Sequence, residues 1–345
     1  MHRIRSRASA ARLSLLAALA LVALTVAACG SSNDGAATAA GSTAAVSTSA
    51  AGDAKPFTLR YGVVSVNGAP EGPNGLALQE DRLLGHLKSA GVTDIKVTTF
   101  PNGPNLAAAL VSGDLDIGEF GDTPALIAGS QGIKAKLLQI YQQDLEAWLI
   151  ARKGGPTTLE GLAGKKVATA PGSYMDRFLK GLIHEEGLDG KIQVGALLPP
   201  AGVSAIQNGS LDAYAFPFPI GAALAEKGFP VVAKATDHEG LAGNSVTLIT
   251  DAALADHPRL AEAWRAATQA SNQAVRDDPN AFWTFESTHN KVPLSAAKAS
   301  YPVENYPLEP FPPDAVSALQ GTLDYLVESK QARDFDLSAW QVPAG

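Results

Sequence analysis

The sequence predicts an α/β fold of two lobes, and three observations carry that prediction. From Phe57 onward, short strand-like segments alternate with helical ones. The alternation runs in two series and ends in a mainly helical region that returns to the first lobe. The composition agrees: of 345 residues 46% are apolar and 18% charged, and 33 Gly with 22 Pro imply many turns rather than a helical bundle. This length allows two medium-sized domains with a sizeable core.

The chain opens with a different kind of segment. Arg3, Arg5, Arg7 and Arg12 stand without an acidic residue in the first 28 positions, followed by an uncharged apolar run over residues 13–28. About 16 residues is short for a membrane span and suits a signal-peptide core. Val26-Ala27-Ala28-Cys29 resembles a bacterial lipobox, in which the cysteine is acylated and becomes the new N-terminus. An ordinary secretory signal with an incidental cysteine is the simpler alternative. Cys29 is the sequence's one cysteine, so acylation would exclude disulfides, Cys-based metal sites and Cys nucleophiles together. Residues 30–55 are Ala, Ser, Thr and Gly with few periodic apolar positions, and read as a flexible tether from a membrane anchor. Without residues 1–28 the charge balance is 23 basic against 34 acidic, net −11, which argues against nucleic acid as a partner.

In the first lobe, polarity alternation predicts a strand over residues 57–64. Leu76, Leu83, Leu84 and Leu87 predict a helix over 75–87. Then come a strand at 95–99, a helix at 104–111 and a strand at 115–117. Thr123-Pro124 reads as N-cap and first residue of a helix to Ser130. Strands at 136–141 and 147–152 follow. The second series has a strand at 166–170, a helix at 174–186, a strand near Ile192, a helix to Gln207, and a strand at 212–216. A helix at 220–227 and a strand at 231–232 complete it. After a strand at 245–250, helices are expected over 258–276 and 313–330. Such alternation implies parallel sheets covered by helices on both faces. The expected partition is lobe I over 56–147 and 251–345 and lobe II over 148–250. Crossing segments fall near 144–148 and 245–251 and would absorb a closing rotation.

Ligands of open α/β sheets bind beyond the carboxyl ends of strands, so the strand-to-helix loops are the candidate site. Gly118-Glu119-Phe120-Gly121-Asp122-Thr123-Pro124 opens a helix whose N-terminal N–H groups could hold an anion, although for this motif alone Thr123 as a plain cap is the favoured reading. Ala170-Pro171-Gly172-Ser173-Tyr174 repeats the arrangement in the second lobe, and Ser173 with Asp176 resembles a capping box. Phe216-Pro217-Phe218-Pro219 ends a strand, and one of its two rings is expected to line a cleft. Ser65, Asn67 and Gly68 lie in a polar loop after the first strand, and Asn102 in the loop after the second. The six His show no metal-ligand spacing, and no nucleophile elbow or Walker loop is present, so neither a metal, a cofactor nor a catalytic residue is expected.

Four stretches then show a specific resemblance: Thr99 to Leu106, Leu115 to Pro124, Leu162 to Ala168 with Gly172-Ser173, and Leu198 to Ala201 continuing through 209–213. In order and spacing they resemble the aliphatic sulfonate-binding proteins, within the nitrate/sulfonate/taurine group of ABC-transporter solute-binding lipoproteins. The resemblance implies a periplasmic-binding-protein type II fold, with two α/β lobes, two crossing segments and a ligand cleft between them. It implies a monomer that binds a small solute and delivers it to an ABC permease with its ATPase, outside the cytoplasmic membrane. It implies ligand contacts at Ser65, Asn67, Asn102, Glu119, Gly121, Thr123, Gly172 and Ser173. Gly68, Phe120, Asp122, Glu146, Tyr174, Phe216 and Phe218 lie in or beside the same loops and complete the candidate set. Desulfinases and thiamine-pyrimidine synthases share this architecture, but their chemistry relies on cysteine or a His/Cys-rich site.

The sequence departs from that group at Phe216-Pro217-Phe218-Pro219, where the sulfonate binders carry Trp-Asp-Pro. The candidate loops contain no Lys or Arg, the nearest cation being Arg177, while Glu71, Glu119, Asp122 and Glu146 add negative charge. An organosulfonate would be held by backbone N–H groups at 121–123 and 172–174 with nearby hydroxyls. The alternative solute is a neutral or cationic aromatic molecule, such as a pyrimidine, stacked on Phe216 or Phe218.

Overall fold

The computed structural model describes residues 54–343 apart from Val66. The signal and lipobox readings, Cys29 included, and the tether reading up to residue 53 lie outside the described residues. The first lobe begins with β1 (Phe57–Val64), α1 (Gly72–Gln79), α2 (Arg82–Leu87), β2 (Val92–Phe100), α3 (Gly103–Ser112), β3 (Ile117–Gly121), α4 (Asp122–Ser130) and β4 (Ala135–Leu145). The second contains β5 (Ala147–Ala151), β6 (Lys166–Thr169), α5 (Tyr174–Glu185), β7 (Gln193–Ala196), α6 (Pro199–Gln207), β8 (Ala213–Pro217), α7 (Ile220–Glu226) and β9 (Val231–Lys234). The chain then returns through β10 (Gly243–Thr250), α8 (Asp251–Asp256), α9 (Leu260–Asp277), α10 (Pro279–Asn290), α11 (Leu294–Ser300), α12 (Pro313–Glu328) and α13 (Leu337–Trp340).

The two sheets have the same plan. Strand order is β2-β1-β3-β10-β4 in one and β7-β6-β8-β5-β9 in the other. β1 runs parallel to β2 and β3, and β6 to β7 and β8, whereas β10 and β5 are antiparallel to both neighbours. The sheets are therefore mixed rather than parallel, for a geometric reason. Right-handed βαβ units bring the strand ends to one edge. A chain leaving at that edge enters the facing sheet at its own near edge and must run away from the gap. β5 and β10 are the two strands that enter this way.

The first crossing is short, from Leu145 to Ala147, within the expected segment. The second departs from expectation. The chain leaves the second sheet at Lys234 and joins the first at Gly243, so residues 245–250 are strand and the crossing lies at 235–242. Glu146 ties the two crossings together, its carboxylate accepting from the Thr236 hydroxyl and backbone N–H. Arg177 donates to the carbonyls of Gly240, Leu241 and Ala242 along the second.

Packing follows the amphipathic pattern. On one face of the first sheet Leu106, Leu126 and Leu323 bring α3, α4 and α12 together; on the other, Leu83, Leu260 and the fully buried Trp264 join α2 and α9. In the second lobe Phe178 and Leu182 of α5 cover one face, and Ile206 and Leu224 the other. The expected helix over 75–87 is two helices, broken where Asp81 takes a left-handed conformation (φ 58°). α10 and α11, which the sequence reading omitted, follow α9 after a turn at Asp278, whose side chain caps α10 by accepting from Ala281 N–H. No helix among the described residues is long and apolar enough to cross a membrane.

Candidate functional site

The strand ends of both sheets face one cavity of about 180 Å³. Of the candidate residues, Ser65, Asn102, Glu119, Phe120, Gly121, Ser173, Tyr174 and Phe218 line it. Each is held from its own chain segment. The Ser65 hydroxyl accepts from the N–H groups of Asn67 and Ala69 (3.2 and 3.3 Å), tightening the loop after β1. Asn102 caps α3 by accepting from Asn105 N–H at 2.9 Å. The Ser173 hydroxyl accepts from Asp176 N–H (3.2 Å) and donates to the Ala170 carbonyl (2.6 Å). Gly121 lets the lobes approach, since a Cβ there would stand 3.1 Å from the Tyr174 ring.

The other candidates do different work. Thr123 is not the cap of α4; Gly121 is, because β3 runs four residues further than expected. Asp122 is fully buried behind the cavity wall. Its Oδ1 accepts from the Thr123 N–H and hydroxyl, and its Oδ2 from Asn244 N–H at 2.8 Å. The α4 terminus is thus answered by the chain's own carboxylate. At α5 the Gly172 N–H goes to Asp176 Oδ2 (3.0 Å), so part of that terminus is likewise committed. Phe216 is 0% exposed and packs on Tyr214 at 4.3 Å between ring centres, leaving Phe218 as the ring in the cavity. Asn67 is exposed and donates to Asn290 Oδ1 at 2.6 Å; Gly68 is a left-handed turn position beside it. Glu146 braces the crossings, away from the cavity.

Several lining residues were absent from the sequence reading: Tyr61, Tyr141, Gln142, Asn290, Tyr301 and Tyr306. The last three come from α10 and the segment after α11, which folds back against Tyr141 and Phe218. Two carboxylates also enter the cavity. Glu119, 6% exposed on β3, accepts at Oε2 from the Tyr61 hydroxyl (2.5 Å) and Asn74 Nδ2 (3.3 Å). Glu71 accepts at Oε2 from the Tyr301 hydroxyl at 3.1 Å. A third, Glu286, lies fully buried behind them and accepts from Gly72 N–H (2.7 Å) and Asn290 Nδ2 (2.9 Å). Gly72 is left-handed (φ 73°) and sits against the Tyr141 hydroxyl, so no side chain fits there.

Burial governs these acids. It raises Glu119 to about 7 against its two hydrogen bonds, and Glu71 to about 7 against that from Tyr301. Glu286 is pushed well above the usual carboxylate range, by burial first and by Glu71 second. Among the described residues no Lys, Arg or His lines the cavity. Arg177, the nearest cation in the sequence reading, is spent on the second crossing. No cluster of His, Cys, Asp and Glu suited to a metal occurs among the described residues.

A family model described as the NMT1-like family matches residues 82–282, which is more than half of the sequence. The chain belongs to the NMT1-like family. It is 30% identical over 191 residues to an aliphatic sulfonates-binding protein of Escherichia coli (strain K12), covering 54% of this chain and 58% of that protein. It is 28% identical over 126 residues to the taurine-binding periplasmic protein of the same organism, covering 36% and 39%. The match thus spans little more than half the length of the first of these relatives and about two fifths of the second. Among solved structures, the alkanesulfonate-binding protein SsuA from Xanthomonas axonopodis pv. citri bound to MOPS superposes with a TM-score of 0.69 at 23% identity, over 84% of this chain and 100% of that one. The NMT1-like chain therefore has the two-lobed periplasmic-binding-protein fold that the sequence resemblance implied.

Proposed function

We propose that this protein is the extracytoplasmic solute-binding component of an ABC importer, and that it captures a small organic solute by closing its two lobes. The observation that carries the reading is the cavity at the strand ends of both sheets, which two crossing segments join. Relatives named for aliphatic sulfonates and taurine make an organosulfonate, such as an alkanesulfonate or taurine, the first solute class to test. The acylated Cys29 and the tether would keep the body near the membrane, and a permease with its ATPase would receive the solute. The protein is read as a binder and not an enzyme: its relatives are named for binding, and its one cysteine is Cys29.

Thermal-shift screening against alkanesulfonates, taurine, nitrate, aromatic acids and pyrimidines, with small-angle scattering on each hit, tests this. A solute at a hundred times its Kd should add about 2.7 kcal/mol and shrink the radius of gyration. No stabilisation by any solute would overturn the reading.

A further inference from the structure

We propose that the solute carries a cationic nitrogen at its inner end, and that Glu119 is the anion that receives it, with Glu71 in the same cavity. The inference deepens the solute-binding reading and rests on it. Glu119 Oε1 accepts no hydrogen bond among the described residues, although the side chain is 94% buried and lines the cavity. That oxygen is not sealed inside the protein but open to the cavity, where a carboxylate largely shielded from water favours a charged donor. The partner cannot come from the walls, which offer no cation among the described residues. Glu71 presents the same pattern, one oxygen bonded to Tyr301 and the other without a partner among the described residues.

The charge asymmetry points the same way. A solute entering with an anionic group foremost would meet two carboxylates, while Asp122 and Asp176 already occupy donors at the starts of α4 and α5. A cationic nitrogen meets a preformed acceptor in a cavity also lined by Tyr61, Tyr141 and Tyr306. Those three hydroxyls are titratable groups that feel the Glu119 charge. Burial raises all three further above neutral pH, so they stay protonated and only the carboxyls titrate. The rest of the solute lies against Met175, Pro199, Phe218 and Ile220 of the second lobe.

Calorimetry on the whole protein with matched probes decides the matter: propane-1-sulfonate, 3-aminopropane-1-sulfonate and 1-aminopropane at pH 8 and pH 6. The amino compound should bind at least about tenfold more tightly than propane-1-sulfonate at pH 8. That advantage should shrink about tenfold at pH 6, where Glu119 is mostly protonated, and vanish in Glu119→Gln. The melting temperature of Glu119→Gln establishes that it is folded. Binding of 1-aminopropane alone would uphold the inference and remove the sulfonate as solute. Equal affinity for the two sulfonates, or an unchanged preference in Glu119→Gln, would overturn the inference and leave the importer reading standing. Silence from all three probes, together with a silent broad screen, would overturn both.

Discussion

The cleft wall built by β1, β3 and β4 carries Tyr61, Glu119 and Tyr141, whereas the wall built by α5, β8 and the loop after it carries Tyr174, Met175, Phe218 and Ile220. The first presents charge and hydroxyls, the second mainly apolar surface. The sheets behind them share one strand plan, so the difference comes from side chains at equivalent strand ends. One wall can select by charge while the other covers the solute's body without regard to it. On the proposed solute-binding reading, this division places the energetic selectivity in one lobe and the water exclusion in the other.

The largest test of this contrast is Phe218→Ala. Phe218 is buried against Tyr301, with 5.0 Å between ring centres, at the point where the second lobe meets the returning chain. Truncation should cost about 3 kcal/mol of stability, read by denaturant unfolding. It should also weaken charged and uncharged solutes by the same factor. A loss confined to cationic solutes would mean that the apolar wall reads charge as well.

Next in size is the pH dependence of the protein without solute. Glu119 has a folded pKa of about 7 against 4.5 unfolded, so the folded state holds its proton more tightly. That contribution is complete below pH 4.5 and is lost as pH rises through about 7. The loss is on the order of 3 kcal/mol. Thermal melts should fall over this window, and Glu119→Gln should flatten the fall and melt higher than wild type at pH 8. Glu71 titrates in the same window with the same sign. A wild-type protein equally stable at pH 5 and pH 8 would contradict the burial argument.

How much of this was legible in the sequence depends on sequence distance. Ser65, Asn102, Ser173 and Phe218 follow from one rule, that α/β sheets gather ligands at strand ends, and all four line the cavity. Asp122 and Thr123 obeyed the same rule and turned inward, because β3 continues through Gly121 and shifts the start of α4. Phe216 and Phe218 look equivalent in the sequence, but Phe216 is inside β8 and Phe218 just beyond its end, where the strand's alternation no longer applies. Tyr301 meets Glu71 across 230 residues, and Asn290 meets Asn67 across 223. No local pattern records such pairs, and the helices that deliver them, α10 and α11, lack the long regular periodicity by which α9 announced itself.

A smaller effect separates the two acids at the β3–α4 junction, which the sequence alone placed together. Asp122→Ala should leave Asn244 N–H and the Thr123 hydroxyl without their acceptor, at a cost of about 2 kcal/mol. Because Asp122 stands behind the wall, affinity for any solute should stay within about twofold once the protein is kept folded. A large selective loss for cationic solutes would move the charge-reading role from Glu119 to Asp122.

The smallest effect, and the most selective, belongs to Tyr61→Phe. The hydroxyl donates to Glu119 Oε2 at 2.5 Å, and a hydrogen bond to the charged form lowers the pKa of an acid. Removing it deletes one oxygen atom from a buried position and should cost about 1 kcal/mol of stability. Its sharper consequence is on titration. Without that donor the Glu119 carboxyl is pushed higher, so the pH at which cation affinity reaches half its maximum should move upward from about 7. At pH 7 the variant should bind a cationic solute more weakly than wild type, and above the new midpoint the two should converge. An uncharged solute should bind both proteins alike at every pH. Calorimetric titrations from pH 6 to pH 9 with one cationic and one uncharged solute read all three outcomes. A midpoint that stays in place, or moves down, would show that the Tyr61 hydroxyl does not tune the acid it touches.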